Sequence, residues 1–181
     1  MQTINISQVE IYGLQQSQTA ATFPKTLDVS TAQPNPERFQ KLFSAKPSSG
    51  HDCATKGVIV QFNLTAPEYF WRQIDRYHFI DHVSSQSKMW SISSFPLEKM
   101  CNEKVDQRII DVLQEKINQG CDKREILSNV PGGLMLTSRM TTNILQLKTI
   151  KQQRKSHALP EWREFCQWID EIFEQVGLKE K

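Results

Sequence analysis

His78 and His82 stand four residues apart in the stretch Lys56–Met89, KGVIVQFNLTAPEYFWRQIDRYHFIDHVSSQSKM. On a helix that spacing puts both imidazoles on one face. There they can hold a metal ion together, or serve as acid and base on one substrate. Zinc needs a third ligand, and only His51 or Asp52 lies near in sequence, so no metal is expected. Arg76 and Lys88 flank the pair and supply cations for developing negative charge. His78, His82 and Lys88 are the candidate catalytic set. A plainer reading stands beside it. Among Tyr77, Phe79 and Ile80 an imidazole also serves as a hydrogen-bonded packing residue, and Arg76 can simply pair with Asp75 or Asp81.

A second feature is electrostatic. From Leu134 to Pro160 the chain holds no Asp or Glu, yet it carries Arg139, Lys148, Lys151, Arg154 and Lys155. Lys148, Lys151 and Lys155 fall on one helical face with Arg154 beside them, and like charges so placed repel. A helix that tolerates this is aimed at an anion, or its cations pair with the acid-rich tail Glu161, Glu164, Asp170, Glu171 and Glu174.

These groups need elements to hold them. Val58, Val60, Phe62 and Leu64 alternate with Ile59, Gln61 and Asn63, which is strand periodicity. Thr65, Pro67 and Glu68 then read as the start of a helix, with Thr65 as its cap. That helix is expected to carry Arg72, Arg76, His78 and His82 and to end in the run Ser84–Lys88. Thr3–Leu14 reads as a first strand, paired in a hairpin with a short extended run near Thr26–Val29. Asn35-Pro36-Glu37 opens a helix that buries Phe39, Leu42 and Phe43. Lys46–Gly50 is a loop that delivers His51 and Asp52. Trp90–Phe95 is expected to be extended or irregular, and Pro96–Met100 a helical turn. Asp106 and Gly120 bracket another helix, and Asp122 opens a short one ended by Pro131-Gly132-Gly133. Leu134 to about Ser156 reads as the longest helix. Pro160 opens the last, packed through Trp162, Phe165, Ile169, Ile172 and Phe173. The expectation is α+β: a small antiparallel sheet wrapped by helices.

Composition sets the frame. The chain has 181 residues, 38% hydrophobic and 23% charged, with a formal net charge of +2, which fits one globular domain with its own core. No apolar run approaches the roughly 20 residues of a membrane span. Cys53, Cys101, Cys121 and Cys166 are scattered without a Cys-x-x-Cys pair. With no export signal they read as reduced thiols in a bacterial cytoplasm.

Ser49-Gly50-His51-Asp52, the strand after it, Arg76-Tyr77-His78 and the Ser-Gln-Ser-Lys run resemble the flavin-dependent thymidylate synthases. Val130-Pro131, Thr142-Asn143 and Arg154 match that family's second conserved segment in order and spacing. The resemblance covers residues 49–89 and 128–165. It implies the family's scaffold, sites shared between subunits of a homodimer or higher oligomer, and nucleotide contacts at His51, Arg76, Gln86, Ser87 and Arg154, with Arg139 and Lys151 completing the anion site. The apolar helices Asp106–Gly120 and Pro160–Gly177 support the oligomer.

Departures from the family's pattern carry the functional expectation. Arg-His-Arg has become Arg76-Tyr77-His78, so a guanidinium that contacts flavin is now an imidazole, which cannot fork two bonds to a phosphate. The family's terminal Arg is Lys88. The serine nearest the uracil falls at Gln86, and an expected arginine is Leu145. These changes imply lost synthase chemistry and no cofactor. The whole chain also resembles small phage-borne proteins that include anti-CRISPR factors. That resemblance implies a type II anti-CRISPR protein binding RNA or nucleotide, whose partner is the type II CRISPR effector nuclease with its guide RNA. Cleaving RNA without metal takes a base, an acid and cations, and His78, His82, Lys88 and Arg76 contain those groups. The alternative is a surviving synthase that uses FAD to convert dUMP to dTMP.

Overall fold

Four antiparallel strands form the sheet of the computed structural model, which describes residues 3–46 and 49–180. They are β1 (Asn5–Tyr12), β2 (Ile59–Pro67), β3 (Ile80–Ser85) and β4 (Met135–Asn143), in the spatial order β1-β2-β4-β3. The helices are α1 (Leu14–Ala20), α2 (Pro36–Phe43), α3 (Glu68–Ile74), α4 (Lys88–Ser91), α5 (Leu97–Met100), α6 (Gln107–Asn118), α7 (Lys123–Ser128), α8 (Ile144–Arg154) and α9 (Pro160–Gln175). A 3-10 segment, His51–Gly57, leads into β2. The α+β class, an antiparallel sheet wrapped by helices, is the one the sequence indicates.

One face of the sheet is apolar and one polar. Val60, Phe62, Leu64 and Ala66 of β2 are fully buried on the helical side, as strand alternation requires. There Phe62 meets Trp168 and Phe165 of α9, at ring separations of 4.4 and 6.0 Å. Ile144, Leu147 and Ile150 of α8 join the same core, as do Phe39 and Phe43 of α2. A second apolar cluster gathers Ile92, Leu97, Ile110, Leu113, Ile126 and Leu134 under α6 and α7.

Several expectations are corrected. The run Leu134–Ser156 is not one helix: its first part is β4, hydrogen-bonded to β2 on one side and β3 on the other. Ser138, Met140 and Thr142 turn inward and Thr137, Arg139 and Thr141 outward, and its threonines suit a pleated surface. The N-terminal hairpin is absent among the described residues. The partner of β1 is β2, while Phe23–Lys25 and Val29–Thr31 make 3-10 turns. Thr65 does not cap α3; its Oγ1 lies 2.8 Å from Thr137 Oγ1 across the sheet. The free N–H groups of Glu68 and Tyr69 donate instead to the carbonyls of Leu134 and Gly132. Trp90–Phe95 folds mostly into helical turns.

Candidate functional site

The end of β4 passes directly into α8, and Asn143 makes the join: its Oδ1 accepts from the Gln146 N–H at 2.9 Å. That cap fixes which faces α8 presents. Ile144, Leu147 and Ile150 go to the core, and Lys148 goes with them into a buried pocket. Its Nζ donates to the carbonyls of Phe43 and Ala45 and to Asp52 Oδ2, at 2.5, 3.2 and 3.2 Å. Asp52 belongs to the 3-10 segment, so this one ammonium ties α2, the 3-10 segment and α8 together.

Grooves open on either side of that pin. One, of about 470 Å³, lies between the 3-10 segment and α8, walled by Gly50, Cys53, Lys56, Leu145, Thr149, Gln152 and Gln153. The other, of about 220 Å³, lies between α8 and the Phe43–Lys46 turn, with Lys151, Lys155 and Glu180 on it. At the C-terminal end of α8, Arg154 Nε donates to Tyr77 Oη at 2.7 Å, and Tyr77 Oη donates to Gln153 Oε1 at 3.0 Å. The Arg154 guanidinium lies over Trp162 of α9, 4.7 Å from the ring centroid. It makes no ion pair with a described carboxylate. A flat, stacked guanidinium with both Nη groups unspent is a fork for a phosphate or carboxylate.

Arg76 and His78 sit exposed in the turn beside Tyr77. His78 and His82 do not share a helix face. Helix α3 stops at Ile74, Phe79 takes a φ of +61°, and the chain turns there into β3. His82 is therefore a strand residue. Its Nε2 lies 2.9 Å from Asp75 Oδ1, its Nδ1 lies 2.7 Å from Ser138 Oγ, and its ring is 5.0 Å from Trp71. Ser138 is buried and its hydroxyl donates to the Ser84 carbonyl at 2.8 Å. An Asp-His-Ser relay with so enclosed a hydroxyl is a cross-strand pin, not a nucleophile.

The remaining candidates are dispersed. Lys88 Nζ pairs with Glu68 Oε1 at 2.7 Å. Gln86 lengthens the β3–β4 ladder: its N–H donates to the Thr137 carbonyl, and its Oε1 accepts from the Thr137 N–H at 2.8 Å. Ser87 is the residue before α4. Arg139 lies on the polar face of the sheet, donating to the Gln8 carbonyl at 2.6 Å and to the Glu10 carboxylate. Lys151 pairs with Asp170 and Glu180. Burial lowers its ammonium, but those two bonds outweigh burial and leave it raised. His51 is exposed on the 3-10 segment. The row Lys148, Lys151, Lys155 is thus largely neutralised from within, by Asp52 and by the acidic tail. Sequence reasoning placed Arg154 but missed Tyr77 and Trp162 as its partners, since only the fold brings residues 77, 154 and 162 together. It had the acid-free run beside an acid-rich tail as a signal for Lys151–Asp170.

No protein-family model matches the chain, and no curated protein matches it. Solved structures do match in fold. One is thymidylate synthase X (ThyX) of Helicobacter pylori with FAD and dUMP, at TM-score 0.72 and 11% identity over 91% of this chain and 89% of that one. Another is the flavin-dependent thymidylate synthase of the same organism complexed with FAD and dUMP, at TM-score 0.70 and 11% identity over 93% of each chain. The expectation of a scaffold without a cofactor is corrected by this finding, because both neighbours were solved with FAD. The chain has a ThyX-like fold.

Proposed function

We propose that the chain is a nucleotide-binding protein on a ThyX-like scaffold, with FAD as the ligand of the groove between the 3-10 segment and α8. The observation that carries this reading is Arg154: stacked, half-buried, free of described carboxylates, and one residue from the groove wall at Gln153. Its fork suits a diphosphate. Lys56 adds a second cation, and Gln152 and Gln153 add amide donors and acceptors for ribose or ring edges. The neighbours solved with FAD and dUMP support the choice of ligand. Bound flavin would supply electron or hydride transfer. The chain's own residues would grip the phosphates at Arg154 and Lys56 and hold the rest against Leu145 and Thr149. The test is a fluorescence titration of FAD with the purified chain, and then with dUMP added. Binding lost in Arg154→Ala supports the reading; an affinity unchanged by that substitution sinks it.

A second reading keeps RNA as the ligand, with the chain a phage-borne type II anti-CRISPR protein acting on guide RNA. It rests on the sequence resemblance and is favoured by one further observation. Lys56, Arg76 and Lys155 are exposed around α8 and make no ion pair with a described carboxylate. Filter binding of guide RNA would then fall steeply with salt, with a log–log slope of about −0.7 per neutralised phosphate. Incubating guide RNA with and without the effector nuclease reads out cleavage. Binding that ignores salt removes this reading. A homodimer or higher oligomer belongs to either proposal, and light scattering tests it.

A further inference from the structure

The groove of about 220 Å³ between α8 and the Phe43–Lys46 turn holds four lysines: Lys46, Lys148, Lys151 and Lys155. Part of that charge is structural. Helices α2 and α8 both end here, and the carbonyls at a helix C-terminus attract cations. Lys148 meets that need, donating to the carbonyls of Phe43 and Ala45 and to Asp52. It is buried with its hydrogens spent, so it sets the width of the groove and offers nothing to a ligand. Lys151 pairs with Asp170 and Glu180. Lys46 and Lys155 are exposed on the same walls and pair with no described carboxylate.

Glu180 is the only carboxylate among the described residues that line this groove, and it bonds one lysine, Lys151. The backbone just before it is clamped. Gln40 donates to the Lys179 carbonyl and accepts from the Lys179 N–H, each at 2.8 Å, and Leu178 is buried. The Glu180 side chain, 29% exposed, can therefore turn out to solvent without unseating the segment that carries it. Three carboxylates, Asp52, Asp170 and Glu180, meet the four lysines. With Glu180 turned away two carboxylates remain, and the groove carries an excess of two positive charges. Ser44 adds a donor, because its Oγ accepts from Gln40 Nε2 at 2.7 Å and its own hydrogen is uncommitted among the described residues.

We infer that this groove is a binding site for a phosphate dianion, free or as a small monoester, gripped by Lys46, Lys151 and Lys155, with Glu180 as the resting occupant that the ligand displaces. A phosphate matches the two charges that Glu180 leaves uncovered, and its several strong acceptor oxygens can meet all three lysines at once. A carboxylate brings one charge and two oxygens. Lys148 and Gln152 stand between this groove and the one proposed for FAD, so the failure of either proposal leaves the other standing.

The probe is inorganic phosphate, followed by phosphorus NMR as the full chain is titrated at pH 8 and constant ionic strength. Glu180→Gln removes the internal anion and should tighten phosphate binding at least threefold. Lys46→Gln combined with Lys155→Gln should weaken it at least tenfold, and both positions are exposed, so the fold is spared. Lys56 lines the other groove and not this one, and Lys56→Gln should leave the phosphate Kd unchanged. Glycerol 3-phosphate run in parallel separates the sources: tighter binding than phosphate assigns the site to an ester, and weaker binding assigns it to the free ion. Phosphate held no more tightly by Glu180→Gln, wild-type affinity in the double lysine variant, or binding lost in Lys56→Gln each overturns the assignment.

Discussion

Lys148 Nζ and Asp52 Oδ2 meet 3.2 Å apart inside the protein, with side chains 7% and 6% exposed. They come from segments 96 residues apart, and the same ammonium also serves two backbone carbonyls. Removing one member of a buried, hydrogen-bonded pair leaves the other charge uncompensated, at a cost of about 3–5 kcal/mol. Lys148→Met is expected to lower unfolding free energy in urea by that amount. Lys148→Met with Asp52→Asn should recover part of it, because contacting residues couple. A Lys148→Met protein within about 1 kcal/mol of wild type would mean that water already solvates the pair.

The Arg154 guanidinium donates to Tyr77 Oη and lies over the Tyr77 and Trp162 rings, 5.4 and 4.7 Å from their centroids. Arg154→Ala should cost on the order of 1–3 kcal/mol in stability, from one hydrogen bond and two cation–π contacts. It should weaken FAD binding about tenfold to a hundredfold. Arg154→Lys keeps the charge and loses the fork, so it should restore less than half of that binding energy. Flavin fluorescence and urea unfolding separate the two losses.

Gly13 links the site to the N-terminus. Its φ is +74°, and a Cβ there would stand 2.4 Å from the Gly57 carbonyl oxygen at the end of the 3-10 segment. A backbone atom has little room to yield. Gly13→Ala combines a left-handed conformation, about 1–2 kcal/mol for an L-residue, with that clash. Stability should fall by about 2–4 kcal/mol, with Asp52 and Lys56 displaced. Gly50, whose added Cβ would meet nothing within 4 Å, is the control, and only the strain of its φ should register.

Burial pushes the Cys166 thiol up to about 11. The folded chain thus holds this proton more tightly than the unfolded one. The resulting stability is complete below the ordinary thiol range, near pH 9, and drains away as pH climbs through 11. Urea midpoints should drop between pH 9 and 11, and Cys166→Ala should flatten that part of the profile. Iodoacetamide at pH 8 should label exposed Cys53 long before Cys166, as peptide mapping will read.

Much of the fold was legible where one face of an element is uniformly apolar. The alternation Val58–Leu64 marked β2, and Trp162, Phe165, Ile169 and Ile172 marked α9. Strand β4 was not legible, because its inward residues include Ser138 and Thr142, which only neighbouring strands on both sides make strand-like. Strand β3 was hidden for another reason. The positive φ of Phe79 that turns the chain into β3 leaves no trace in a phenylalanine. Of the candidate site, Arg154 was found from its place in an acid-free run. The pairing of Lys151 with Asp170 and Glu180 depends on how α8 crosses α9, and local sequence does not encode that crossing.

The strand order has a consequence for the chain as it is made. Among the described residues β3 pairs only with β4, which begins at Met135, fifty residues after Ser85. At roughly 5–20 residues per second of synthesis, β3 waits about 3–10 s on the ribosome with both edges bare, and β2 waits with one. Until β4 slots between them there is no continuous sheet for α9 to cover. Nascent chains halted before residue 135 should therefore leave the central β2 edge open to chaperones, and chains released after residue 175 should have it covered by β4.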